Sequence, residues 1–504
     1  MISTRRGAGA GFVAGLAFAF AQALLRLAGV SLPSELVADR VLPHVPVIQF
    51  LQLLSFMGGA QAAKQQALIG GFFGTVAAGV VLGGVYALLL RRPVLARHPV
   101  STLVVAIAIG WVGTMAALWP VLPASYLGLG PAPATAATAV GYLLQFAVYA
   151  AALSVALRWT ARRPAATAET DESRRRLMLG AVAGVFAIGT AGMATFLYKN
   201  SALGYDGMTY DGPVQPLTPS QGFYTVTKNL IDPAVFQPAW RLEVAGKVAY
   251  PMTYQLSDLT RLPNCTTQET TLECISNGVG RGLISNAAWH GVSLRTLLDA
   301  AAPMSGAIGV TFRAVDGYVH TASLDTAMAD GTFLAWLMNG QPLPDRHGYP
   351  LRLLVPSAYG EVSVKWLTQI EIVDEAESGY YETQGWQPRF VQTMSRIDSP
   401  KKGQQVKAGS TVRLQGIAYA ADRGISQVEI SADGGSTWTP AQITYGKPMT
   451  WSVWQADWTP AEAGTAVLKV RARDGKGDPQ PETSRGFAPA GSTGLHMVQV
   501  TVAS

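Results

Sequence analysis

Cysteine is nearly missing: only Cys265 and Cys274 occur in 504 residues. A disulfide framework or an all-cysteine metal cage, each built from about four thiols or more, is thereby excluded. Charge is scarce too, at 14% of residues against about 25% in ordinary soluble domains, which points to membrane-embedded sequence. The balance is basic (net +6), yet no lysine-rich stripe interleaved with aromatics is present, so no nucleic-acid partner is expected. The six histidines stand at 44, 98, 290, 320, 347 and 496, and none falls in a long apolar run. Bis-histidine haem ligation between membrane helices is excluded, and no haem is expected in this chain. There is no fixed-period repeat and no low-complexity tract.

What the chain has in abundance is apolar length. Five stretches, Gly11–Val30, Ala67–Leu90, Val100–Leu122, Ala136–Leu157 and Leu177–Tyr198, each reach the roughly 20 residues that cross a bilayer as a helix. Arginines gather at Arg5-Arg6, at Arg91-Arg92 with Arg97, and at Arg158, Arg162-Arg163 and Arg174-Arg175-Arg176, whereas Pro123–Thr135 carries no charge. The positive-inside rule then makes the amino terminus cytoplasmic and delivers everything after Asn200 to the outer side of the cell (inner) membrane. A weaker run, Val47–Met57, is too short to span and reads as interfacial or re-entrant. Ser173-Arg174-Arg175-Arg176-Leu177-Met178-Leu179 resembles a twin-arginine export signal, the alternative being an ordinary positive stop at a helix end. Arg26, near the outer end of the first run, is read as snorkelling to the interface.

The expected organisation is an all-α transmembrane anchor over residues 1–200, a Gly/Pro-rich linker over 201–222, an α+β domain over 223–395 and an antiparallel β-sandwich of immunoglobulin-like type over 396–504. In the third segment, strand-like runs such as Trp240–Gly246 alternate with short helical patterns such as Leu294–Ala300. In the fourth, short alternating strands are broken by glycine turns such as Asp433-Gly434-Gly435 and Asp474-Gly475.

Chemistry concentrates in the third segment. Cys274 lies in Thr271-Leu272-Glu273-Cys274-Ile275-Ser276-Asn277, and a lone thiolate is a soft metal donor. A disulfide to Cys265, nine positions away, is the alternative in an oxidising compartment. His347-Gly348-Tyr349-Pro350-Leu351-Arg352 follows, then Ser363-Val364-Lys365-Trp366-Leu367, with Arg352 five residues after His347 and eleven before Ser363. Fixed cations at such positions suit a phosphate.

Together these elements resemble the sulfite oxidase family of molybdopterin enzymes, over about Phe223 to Ser504. The resemblance implies molybdenum held by Cys274 and by the pterin dithiolene, with the pterin phosphate bound by His347, Arg352, Ser363, Val364 and Lys365. It also implies that Phe223-Tyr224-Thr225-Val226-Thr227-Lys228-Asn229 enters the cofactor pocket, with Tyr224, Thr225, Lys228 and Asn229 in contact there. Animal and plant sulfite oxidases carry Arg-Asn-His after two aromatics and one further residue. Here Val226, Thr227 and Lys228 take those places, so the arginine that helps hold sulfite has no counterpart, and Lys228 or Arg281 is the substitute available. His320 falls where the family places an active-site tyrosine, with Tyr318 two residues earlier. Trp289 is also family-like, and a tryptophan is more often core than site. The terminal segment implies a homodimer. The resulting expectation is an extracytoplasmic, membrane-anchored oxygen-atom-transfer enzyme for a small sulfur compound, either oxidising sulfite or reducing an S-oxide or N-oxide, with an unidentified electron-transfer partner. The reading from a different class is a membrane-anchored binding module whose cofactor fold has no metal.

Overall fold

A computed structural model describes residues 3–124, 128–161, 169–388 and 390–504; some side chains between 160 and 183 are outside the described set, as is that of Pro120. The chain opens with helices α1 (Thr4–Leu27), α2 (Pro33–Val41), α3 (Val47–Phe56), α4 (Ala60–Leu89), α5 (Pro93–Arg97), α6 (Pro99–Leu118), α7 (Pro131–Ala161) and α8 (Glu169–Lys199). Among the described residues four of them, α1, α4, α6 and α7, are long and apolar enough to cross a membrane. The expected fifth run lies in α8. The side chains of its arginine triplet, like Arg162 and Arg163 of the preceding cluster, lie outside the described residues.

Helix α1 packs against α4, α7 and α8. Its approach to α4 depends on glycines four residues apart, Gly7, Gly11 and Gly15 against Gly79 and Gly83. A Cβ on Gly11 would sit 2.3 Å from the Gly79 carbonyl oxygen, so any side chain there would push the helices apart.

One feature of this region departs from expectation. Arg26 does not snorkel: it is buried, its Nε lies 3.0 Å from Glu35 Oε2 and its Nη2 donates to the Ile231 carbonyl at 2.7 Å. Glu35 in turn accepts from the Leu32 backbone N–H at 2.8 Å, so one carboxylate caps α2 and neutralises α1. Helix α3, the short apolar run, meets the sheet-rich part of the chain at its first residue. The Val47 N–H donates to Gln384 O at 2.7 Å, and Val47 packs with Ile275, Tyr359 and Trp386.

After Lys199 the connector holds a single short 3-10 turn, Ala202–Gly204, and is then strapped to a strand by hydrogen bonds such as Thr218 N–H to Asn286 O (2.8 Å). The next region has two sheets. One orders β2 (Met252–Tyr254), β1 (Leu242–Gly246), β10 (Leu367–Val373), β5 (Gly309–Ala314) and β6 (Val319–Ser323), with β1 and β10 parallel. The other orders β3 (Thr266–Glu273), β4 (Ile284–Ser293), β7 (Phe333–Met338) and β8 (Gln341–Pro342), and β9 (Arg352–Leu354) also pairs with β7. The amphipathic helix Leu294–Ala301 buries Leu294, Leu297, Leu298 and Ala301 in the shared core, as their spacing requires. This is the α+β mixture expected.

The C-terminal region packs two sheets face to face around Leu414, Trp454, Leu468, Val470 and Val500. One contains β11 (Met394–Ser399), β13 (Val412–Tyr419), β17 (Ser452–Trp458) and β16 (Gln442–Tyr445). The other contains β12 (Gln405–Lys407), β19 (His496–Ala503), β18 (Gly464–Asp474), β14 (Ile425–Ser431) and β15 (Thr439–Pro440). The pairing is antiparallel except between β12 and β19, which run parallel.

Candidate active site

Strand β3 ends at Glu273 and delivers Cys274 into a tight loop. Asn277 is what shapes that loop: its amide donates to Glu273 Oε1 (2.9 Å), its carbonyl accepts from the Leu283 N–H (3.0 Å), and its backbone N–H donates to Cys274 O (2.8 Å). The cysteine of the Leu-Glu-Cys-x-x-Asn run is therefore held by the asparagine three residues on. Cys265 and Cys274 are both free thiols, so the alternative disulfide does not form.

Cys274 is 9% exposed, packed with Tyr224 and Leu272, and opens on a cavity of about 730 Å³. Burial, reinforced by the nearby Glu361, pushes its thiol up to about 12. A bound cation is what stabilises a thiolate in such a place.

Strand β9 begins with Arg352 and the segment Ser363–Lys365 lies against it. Leu353 N–H donates to Val364 O at 2.8 Å and Val355 N–H to Ser363 Oγ at 3.1 Å. Arg352 is 4% exposed, donates to His347 O (3.1 Å) and Ser363 O (3.4 Å), and sits 4.9 Å above the ring of Trp289, while its Nε has no partner. Trp289 itself is core, its indole N–H donating to Thr270 O at 3.0 Å. Lys365 donates to Arg346 O at 3.1 Å and caps the ring of Trp366 at 4.2 Å. Among the described residues neither Arg352 nor Lys365 has a carboxylate within ion-pair distance, and the buried Nε2 of His347 is also unpartnered. Burial, then the Arg352 and Lys365 charges, push His347 well below its usual range, leaving a neutral ring.

A buried arginine without a counterion costs several kcal/mol, and a half-buried lysine beside it adds to that cost. An anionic, acceptor-rich group that binds between them removes that cost, and Cys274 lines the same cavity as a soft donor. The residues present thus fit a phosphate-bearing organic cofactor carrying a thiophilic metal.

Tyr224, Thr225, Lys228 and Asn229 also line the cavity. Lys228 is fully engaged: its ammonium lies 2.8 Å from Asp39 Oδ1, donates to Asp316 O at 3.0 Å and is 3.9 Å from Asp316 Oδ2. Burial pulls its pKa down, but Asp39 and Asp316 together more than offset this and hold it raised. Asn229 bridges Asp232 and Asp316.

Tyr318 lines the cavity and donates to Glu361 O at 2.8 Å. His320 does not line it, and instead its Nδ1 lies 3.6 Å from Glu382. Arg281 is exposed and also outside the lining. The tyrosine two residues before the expected position therefore faces the site, while of the two cation substitutes Lys228 is ion-paired and Arg281 lies outside the lining.

Sequence reasoning missed Asp39, Asp316, Glu361, Tyr380, Tyr381 and Trp386, all of which line the cavity. Burial raises Glu361 to about 8, a carboxyl that keeps its proton at neutral pH beside the thiol. The Gly360-Glu361 pair just before the Ser-Val-Lys segment was the available signal for it. For Asp39, in the N-terminal helices, there was none.

Residues 229–381 match the oxidoreductase molybdopterin binding domain, and residues 389–494 the Mo-co oxidoreductase dimerisation domain. The chain is similar to the sulfite oxidase of Gallus gallus, 29% identical over 318 residues, covering 53% of this chain and 68% of that one. It is likewise similar to the sulfite oxidase of Arabidopsis thaliana, 30% identical over 278 residues and covering 45% and 70% of the two chains. Mammalian relatives are matched over 58% of their length. Among solved structures, the sulfane dehydrogenase SoxCD from Paracoccus pantotrophus superposes with a TM-score of 0.52 at 25% identity, over 58% of this chain and 82% of that one. The chain belongs to the sulfite oxidase family of molybdopterin-dependent oxidoreductases. Its cofactor is the molybdenum cofactor.

Proposed function

We propose that this protein is a membrane-anchored, extracytoplasmic reductase of a neutral S-oxide, working by two-electron oxygen-atom transfer. Bound molybdopterin supplies the redox chemistry through its metal. In this reading Cys274 ligates the metal, while Arg352 and Lys365, with His347, Ser363 and the Val364 backbone, hold the phosphate end. Tyr224, Thr225 and Asn229 shape the pocket around it. Glu361 stands near the thiol and Tyr318, bonded to the Glu361 carbonyl, lines the same cavity, as proton-holding groups for an oxygen leaving as water.

One observation carries the substrate preference: Lys228, where a sulfite-binding cation would be sought, is already neutralised by Asp39 and Asp316. A dianion entering a dry pocket without a spare cation pays its desolvation cost uncompensated, whereas a neutral S-oxide does not. Sulfite oxidation is the second reading, supported by the names of the relatives in chicken and Arabidopsis. The matched dimerisation segment supports a homodimer, and the fifth apolar run, Leu177–Tyr198, supports a fifth span with the catalytic region outside the cell membrane.

The test is a direct comparison on the purified full chain: methionine-sulfoxide reduction with reduced viologen against sulfite oxidation with ferricyanide. The proposal requires the larger kcat/KM for the sulfoxide; a larger value for sulfite overturns it.

A further inference from the structure

The cofactor pocket is half of a larger space. The same cavity continues past Tyr380 and Tyr381 onto the apolar faces of α2, α3 and α4, where Val41, Leu51, Leu54, Ala63 and Ala67 form its wall. On the same helices Phe56 is 90% and Phe73 73% exposed, side chains that belong in lipid. We propose that this membrane-facing half is a docking site for a quinone, whose quinol form delivers the electrons for turnover. The inference rests on the oxygen-transfer reading and names its electron donor.

Three observations select a quinone over a soluble carrier. The mouth is apolar and lies beside helices long enough to span a bilayer, so a carrier dissolved in the membrane enters without crossing water. The inner wall is aromatic: Tyr318, Tyr380, Tyr381 and Trp386 contact one another in sequence with ring centroids 5.2–6.4 Å apart, a surface for a planar ring. Among the described residues the hydroxyls of Tyr380 and Tyr381 make no hydrogen bond, and these are donors of the kind that a quinone carbonyl accepts from. No histidine lies in the four candidate spans, so bis-histidine haem cannot carry electrons through them instead.

The overall step balances as quinol plus S-oxide giving quinone, sulfide and water. Two electrons and two protons leave the quinol hydroxyls, the S–O bond breaks, and the released oxygen takes both protons.

The experiment uses the full chain, with its cofactor, in nanodiscs. A photoreactive azidoquinone is expected to label peptides within residues 47–71, and decylubiquinone is expected to compete it away. Labelling that decylubiquinone fails to displace overturns the proposal and leaves the mouth to lipid tails. In parallel, methionine-sulfoxide reduction is driven by decylubiquinol and by reduced viologen. Ala63→Trp and, as a second variant, Leu54→Trp fill the mouth and should cut the quinol-driven rate and the competed labelling by at least about tenfold, with the viologen-driven rate within about twofold. A viologen-driven rate with no quinol-driven rate overturns the quinone proposal and leaves the reductase reading standing. If neither donor supports turnover, the reductase reading fails, and the labelling alone decides whether a quinone docks.

Discussion

Replacing Lys228 by methionine removes the charge that joins the N-terminal helical region to the catalytic region. The ammonium side chain is 6% exposed, and its partners Asp39, from α2, and Asp316, from the turn before β6, are 16% and 3% exposed. Taking one partner from a buried ion pair leaves an uncompensated charge and costs about 3–5 kcal/mol. At about 2–4 °C per kcal/mol for a unit of roughly 150–250 residues, the melting midpoint followed by tryptophan fluorescence should fall by about 6–20 °C. The decisive comparison is the double variant Asp39→Asn with Lys228→Met, which removes the stranded carboxylate as well. Asp316 keeps its hydrogen bonds from Asn229 and from the Tyr318 N–H in that variant. The double variant should therefore be no less stable than Lys228→Met alone, with a coupling of about 2 kcal/mol in the cycle. Strictly additive losses would refute the account, because they would mean that Asp39 and Lys228 do not share one interaction.

Cys274→Ser should leave the melting midpoint within a few degrees and lower turnover by more than the ~10–100-fold typical of changes one shell further from a metal; unchanged turnover at full molybdenum content would disprove ligation. Arg352→Gln should weaken phosphate anchoring by about 2–5 kcal/mol. Pterin fluorescence retained after gel filtration should then drop at least about tenfold, and equal retention would count against the buried cation as the anchor. A histidine in the C-terminal sheets gives a pH dependence. Burial, then the Arg396 charge, depress His496 to about 4, and its Nδ1 accepts from the Ile397 N–H at 3.0 Å. With an unfolded value near 6.5, the unfolded chain binds the extra proton between about pH 6.5 and 4. Stability from this group is therefore complete above that window and lost as pH falls through it, by about 2 kcal/mol at pH 5 relative to pH 7.5. His496→Asn, which can still accept the hydrogen bond, should flatten that part of the stability profile; an unchanged slope would assign the effect elsewhere.

Much of the site was legible because its residues sit in short local runs. Cys274 and Asn277 are neighbours through one loop, and Arg352 and Lys365 lie on adjoining segments whose backbones pair directly, so fixed spacing in the sequence reports fixed spacing in space. Tyr318 and His320 show where that logic stops. Both stand at matching alternation, yet one lines the cavity and the other meets Glu382, a choice made by how Tyr380–Glu382 packs against β6. Arg26 shows the same limit within the N-terminal helices. An arginine near a helix end looks like a snorkelling residue until Glu35, nine positions later, folds back onto it.

By itself the sequence determined that helices long enough to span a membrane precede a sheet-rich molybdopterin region with one cysteine ligand candidate, since apolar run length, two-residue alternation and local motifs are properties of contiguous chain. Only the tertiary structure decided that the N-terminal helices supply a wall of the cavity and that Asp39 reaches Lys228 across 189 residues. A buried charge finds its partner by proximity in space, and no periodicity along the chain records which distant carboxylate that will be.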